Sequence, residues 1–138
     1  LRVEHTGGKI YTEIEADNST ICVHEIHFTN AIFNLMDNAV KYCKTDAPLN
    51  VYLRTWNEGG NVMLSVRDTG IGIKKEAQRK IFDKFYRVHT GNRHDVKGFG
   101  LGLAYVKNII ESHKGKITID STPGEGTTFT IQLPAVDA

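Results

Sequence analysis

Alternating, strand-like patterns at both ends of this chain enclose two long helical patterns, and that order limits the fold more than any one motif does. Ile10, Thr12 and Ile14 alternate with Tyr11, Glu13 and Glu15, which predicts a strand. Residues 20–23 predict a short second strand. Over residues 25–44 the period changes: Phe28, Ile32, Leu35, Ala39 and Cys43 recur every three or four positions, the spacing of one helix face. Asp46-Ala-Pro48 stops that helix. Residues 50–56 and 62–68 read as strands around Asn57-Glu-Gly-Gly-Asn61, a hairpin signal. Residues 74–86 carry short helical patterns, and 92–97 read as a mobile loop. Residues 101–113 form a second long helical pattern, with Leu103, Val106, Ile109 and Ile110 on one side. Residues 116–120 and 127–133 close the chain as strands. No repeat or linker divides it. One sheet with helices on one face, an α+β two-layer sandwich, is the arrangement this order favours.

The chain's 138 residues suffice for a single domain, 1–138, with its own core. A net charge of +1 gives no basic field for a nucleic-acid partner. No apolar run approaches the ~20 residues of a membrane helix, so no direct membrane contact is expected. No charged-then-apolar leader opens the chain, which starts at Leu1 and reads as an excised part of a longer protein. Cys22 and Cys43 lie far apart and form no Cys-x-x-Cys pair, which fits reduced thiols in a cytoplasmic protein. Cys22, His24 and His27 could be drawn around a metal. No fourth ligand is evident, and ordinary surface histidines are the simpler reading.

Four features could carry chemistry. Gly98-Phe-Gly-Leu-Gly-Leu-Ala104 places glycines at alternate positions just before a helix. A helix start offers unpaired N–H groups to an anion, and glycine lets a phosphate come close. The run is either a phosphate cradle or a flexible lead into the helix. It is neither a dinucleotide fingerprint, since Leu103 stands where the third glycine belongs, nor a G-x-x-x-x-G-K-S/T loop. Asp68 ends a strand on the same face as Val62, Leu64 and Val66, so it points at the core. It either caps the turn that follows or accepts from a buried ligand donor such as a purine amine. Asn34, Asn38 and Lys41 form a stripe beside the apolar face of the first long helix, with Tyr42 one turn beyond Asn38. That stripe is either a solvated polar face or a set of amide oxygens for Mg²⁺ with a lysine for phosphate. Lys84, Arg87, Arg93 and Lys97 make the segment before the glycines basic, which suits a lid over a triphosphate as well as a solvated loop. Thr127 shares a core-directed face with Phe129, Ile131 and Leu133.

Taken in order, these segments resemble the ATP-binding catalytic domain of sensor histidine kinases, within the GHKL superfamily. Residues 34–42 resemble the N box and Asp68-Thr-Gly-Ile-Gly-Ile73 the first glycine box. Ile81-Phe-Asp-Lys-Phe-Tyr-Arg87 resembles the F box, Gly98 to Leu103 the second glycine box, and Gly126-Thr-Thr-Phe129 with Leu133-Pro134 the terminal strand. The likeness runs from His24 onward. It implies a Bergerat-type sandwich: a mixed sheet of about five strands with three helices on one face and ATP between the layers. It implies further that Asn38 coordinates Mg²⁺ with Asn34 beside it, and that Lys41 and Arg87 contact phosphates. Asn38, Lys41 and Arg87 would then be the residues that serve the reaction. Tyr42 would flank the nucleotide, and Asp68 would accept from the adenine amine, also through water with Thr127. Gly70 and Gly72 would leave room for the base, and Ile73 would join the nucleotide-binding residues. Gly98, Gly100, Leu101, Gly102 and Leu103 would line the phosphates.

The expected activity is donation of the γ-phosphoryl group of Mg-ATP to a histidine, as part of two-component signal transduction. The implied partners are a histidine-bearing dimerisation domain of the same kinase and a downstream response regulator. The family's acceptor motif, His-Glu/Asp-x-x-Asn/Thr on a helix, has no counterpart here, so this chain by itself is expected not to phosphorylate itself. Two alternatives stay open: a degenerate, purely regulatory nucleotide-binding module, and a GHKL ATPase of the gyrase, mismatch-repair or chaperone type. Those ATPases bring a glutamate base ahead of the Mg²⁺-binding Asn; here Asn34 stands four residues before Asn38.

Overall fold

A computed structural model describes residues 8–16, 21, 23, 25–82 and 102–136. It contains one five-stranded sheet in the order β1-β2-β3-β5-β4. The strands are β1 (Ile10–Ile14), β2 (Val51–Glu58), β3 (Asn61–Asp68), β4 (Lys116–Thr122) and β5 (Gly126–Pro134). β1 runs parallel to β2, and every other pair is antiparallel, so the sheet is mixed as expected. The parallel pair is possible because a helical crossover joins its strands. That crossover contains helix α1 (Glu25–Lys41). A single turn, α2 (Lys75–Gln78), and a longer helix, α3 (Gly102–Ser112), complete the described elements.

The apolar positions read from the helical period are those that pack. Ala31, Leu35 and Ala39 of α1 meet Val106 and Ile110 of α3 and the sheet residues Val51, Val66, Ile117, Phe129 and Ile131 in one core. Ala77 brings α2 onto the same core. The described helices therefore cover one face, and the two-layer sandwich is what the structure shows. The other face carries polar and aromatic side chains: Arg54 lies 4.5 Å over the Trp56 ring and donates to Glu15 Oε2 at 2.9 Å, while Tyr11 stacks on Tyr52 at 4.9 Å.

Several boundaries differ from the sequence reading, and three of them bear on the site or the sheet edge. The hairpin is tighter: Glu58 pairs with Asn61, leaving only Gly59 and Gly60 as the turn. Of the expected strand at 20–23 only Ile21 and Val23 are described, and Ile21 forms an isolated bridge with Ala135. β3 pairs with β5 as far as Pro134 and β4 as far as Gln132, and the bridge lies just beyond both. The first long helix stops at Lys41 instead of running to Lys44. There the Tyr42 carbonyl accepts from the Ile71 N–H at 3.0 Å, so a tertiary bond takes an oxygen that a continued helix would have used.

Candidate functional site

The site is built where β3 and β5 end their pairing, with Asp68 opposite Thr127. Strand alternation turns Asp68 toward the helices, and only 7% of its surface stays exposed. Among the described residues its donors are backbone N–H groups, that of Gly70 at 2.8 Å and that of Thr127. Burial pushes its carboxyl up from 3.8 to about 6, and those two hydrogen bonds offset only part of the effect. A carboxylate offers about four acceptor positions, and two are engaged here. Asp68 is therefore a buried acceptor with capacity for a further donor.

The loop after Asp68 is braced on every side. Thr69 exchanges bonds with Asn50: its hydroxyl accepts from the Asn50 N–H at 2.9 Å, and its own N–H donates to the Asn50 carbonyl at 3.1 Å. Ile71 donates to Tyr42 O and accepts from the Gly124 N–H at 2.7 Å. Ile73, itself buried, donates its N–H to Ser121 Oγ at 2.8 Å. The two glycines have a structural reason. A Cβ at Gly70 would stand 2.5 Å from the Tyr42 carbonyl and 2.9 Å from Asp68 Oδ1. One at Gly72 would collide with the Thr122 backbone, and its φ of +75° suits glycine in any case. The space these glycines leave is thus filled by the protein's own backbone.

The stripe on α1 is set by the helix period. Asn34 donates its amide Nδ2 to the Asn30 carbonyl at 2.9 Å, and its Oδ1 faces Gly102. A Cβ on Gly102, the first residue of α3, would lie 3.6 Å from that oxygen, so the start of α3 stands against Asn34. Asn38 and Tyr42 are half-buried. The Asn38 carbonyl accepts from the Tyr42 N–H at 3.1 Å, which closes the last turn. Lys41 pairs with Asp37 one turn back, at 2.9 Å. Leu103 packs against the core. Asp68, Gly70, Gly72, Ile73, Tyr42 and Thr127 thus gather at the end of the sheet, and Asn34, Gly102 and Leu103 meet at the α1–α3 contact. Arg87, Gly98, Gly100 and Leu101, with the basic segment and most of the F box, lie outside the described residues.

Sequence reasoning missed two members. Ser121 Oγ bonds to the Ile73 N–H, the Gly126 carbonyl and Thr127 Oγ1, each at 2.8 Å. Gln78 Nε2 donates to Ile73 O at 2.7 Å and Ser121 O at 2.9 Å. Ser121 could have been noticed from its place opposite Thr127 once the β4–β5 register is known.

Among the described residues no three His, Cys, Asp or Glu side chains cluster to hold a metal. A divalent cation here would need oxygen donors of another kind, and the amide oxygens on α1 are of that kind. Residues 23–137 match the model of the histidine kinase-, DNA gyrase B- and HSP90-like ATPases. The chain belongs to this ATPase family. Its relatives in the family are sensor histidine kinases. It is 61% identical to the sensor protein RprX of Bacteroides fragilis over 134 residues, covering 97% of this chain and 26% of RprX. It is 45% identical to the circadian input-output histidine kinase CikA of Synechococcus elongatus over 103 residues, 75% of this chain and 13% of CikA. The chain thus spans about a quarter of the length of RprX and less of CikA. Among solved structures, full-length ShkA in complex with AMPPNP superposes with a TM-score of 0.82 at 28% identity, over 99% of this chain and 27% of ShkA. The catalytic domain of histidine kinase ThkA shares the fold, with a TM-score of 0.80 at 23% identity over 99% of this chain and 86% of that one. Among the described residues no helix is long and apolar enough to cross a membrane.

Proposed function

We propose that this chain is the ATP-holding domain of a two-component sensor histidine kinase, and that it presents the γ-phosphoryl group of Mg-ATP to a histidine on a separate dimerisation domain. The observation that carries this reading is Asp68: a buried carboxylate whose acceptor capacity is only half used, aimed at the helix layer. Family membership supports it, as does the likeness to ShkA, whose structure is a complex with AMPPNP.

In this reading Asp68 takes the adenine amine, and the braced loop from Thr69 to Ile73 gives the base a rigid floor. From Lys41, just before Tyr42, back to Asn34 the helix runs about 10 Å at about 1.5 Å per residue, enough to part a base subsite from a phosphate subsite. Asn38 and Asn34, whose Oδ1 faces Gly102, supply amide oxygens for Mg²⁺. Lys41 and Arg87 supply positive charge for the phosphates, and Gly98, Gly100, Leu101, Gly102 and Leu103 line them. Mg²⁺, when bound, offsets the charge of the β- and γ-phosphates and helps hold them for transfer. The chain's own contribution is positioning and charge. The acceptor histidine comes from the partner domain, and the phosphoryl group passes on to a response regulator. The setting is cytoplasmic, and residues 1–138 act as one domain.

The test is a titration with ATP in the presence and absence of Mg²⁺, followed by incubation with γ-labelled ATP. Binding that tightens with Mg²⁺, with no acid-labile label left on the chain's own histidines, is the expected outcome. Absence of binding in both conditions would point to a regulatory module that has lost its nucleotide. A second expected result concerns the metal. Asn38→Ala should remove most of the Mg²⁺-dependent gain in affinity while leaving Mg²⁺-free binding within about twofold. Loss of both in equal measure would show a general defect in the helix rather than a lost ligand.

A further inference from the structure

Ser121 sits opposite Thr127 in the β4–β5 register, and its hydroxyl is the centre of a network with fixed proton roles. The Ile73 N–H can only donate, and it gives its proton to Ser121 Oγ at 2.8 Å. The Gly126 carbonyl can only accept, and it takes the one proton of Ser121, also at 2.8 Å. The remaining contact, Ser121 Oγ to Thr127 Oγ1 at 2.8 Å, must then be made with the Thr127 proton. This leaves Thr127 Oγ1 with only lone pairs to offer elsewhere. Gln78 holds the arrangement in place, because its two amide protons tie Ile73 O and Ser121 O to one side chain.

We propose that Ser121 is a positioning residue for base selection: by taking the Thr127 proton it makes Thr127 an acceptor beside the Asp68 carboxylate. Asp68 and Thr127 Oγ1 then both present acceptors. Where both acceptors face the 6-position, such an edge suits a purine with an amine there and opposes one with a carbonyl, which is then left only its N1–H to offer. Without Ser121 the Thr127 hydroxyl is free to turn and donate, and a 6-carbonyl gains a partner. This rests on the reading of Asp68 as the acceptor for a base amine.

The two claims separate when Mg-ATP and Mg-inosine triphosphate, which differ in that 6-substituent and in the proton on N1, are titrated into the chain and its variants. Ser121→Ala should lower the preference for ATP about tenfold, with the inosine nucleotide held or bound more tightly. Ser121→Thr, which keeps the hydroxyl, should restore the preference. Thr127→Val should lose it as Ser121→Ala does, and the double variant should lose no more than either. Equal weakening of both nucleotides in Ser121→Ala would mean that the residue only supports the fold, and would overturn the proposal. A preference that survives Ser121→Ala but collapses in Asp68→Asn would overturn it while leaving the Asp68 reading intact. A preference unchanged in Asp68→Asn would overturn both.

Discussion

Asp68→Asn is expected to weaken ATP binding by about 1.5–3 kcal/mol, roughly ten- to a hundredfold, while making the folded chain more stable at pH 7. The two effects share one cause. Burial holds the folded carboxyl at about 6 against 3.8 for a free one, so the folded state binds its proton more tightly. Between those two values the native state carries more protons than the unfolded chain, and stability falls as pH rises. Above about pH 6 the full cost is present, on the order of 3 kcal/mol for a shift of about two pH units. The amide cannot ionise and escapes this cost. It keeps one oxygen for the Gly70 N–H but loses the second acceptor, so only part of the difference returns, about 1 kcal/mol at pH 7. Urea unfolding at pH 7 and pH 4 measures it: the variant should lead at pH 7 and lose that lead at pH 4. A variant less stable at both pH values would show that Asp68 is a structural hydrogen-bond centre and not an acceptor held in reserve. The ligand side predicts that ATP affinity of the unaltered chain falls as pH drops below about 6, where Asp68 takes up its proton.

The same residue shows what the sequence could reveal. Period alone put Asp68 on the core-facing side of its strand, because alternation is local and needs no partner. Period likewise placed Ala39 and Leu35 of α1 in the core, where the structure has them. The end of α1 was not legible. It is set by the Tyr42 carbonyl meeting Ile71, a contact between segments far apart in the chain. Ser121 and Gln78 escaped notice for the same reason. The bonds that tie them to the site span 48 and 43 positions, and their nearer bonds, to Gly126, Thr127 and Ile73, depend on a hairpin register and a loop path that period does not give. The glycines of the first box were legible as a place where backbone comes close. Which backbone occupies that space, Tyr42 and Thr122, took the fold to show.

Phe129→Ala should be the most damaging core substitution, costing about 3–5 kcal/mol. The ring is 1% exposed. It sits on β5 between Val66 of β3 and Ile119 of β4, and meets Phe82 edge-on at 6.2 Å. With strands on both sides and helices above, the surroundings can collapse little, so most of the ring's volume remains as a cavity. For a domain whose total stability is typically about 5–15 kcal/mol, the midpoint of thermal unfolding should fall by roughly 10–15 °C. The position also bears on function, because Phe129 lies two residues along the same face of β5 from Thr127. Leu133→Ala provides the control. It removes a side chain that is 3% exposed from the far end of the same strand. By the usual cost of such truncations it should lose about 2–5 kcal/mol. At a temperature where both variants stay folded, Phe129→Ala should weaken ATP binding and Leu133→Ala should not. Equal ATP affinities in the two would mean that the cavity is not felt at Asp68 and Thr127, and that their geometry is held by the loop braces and the Ser121 network alone.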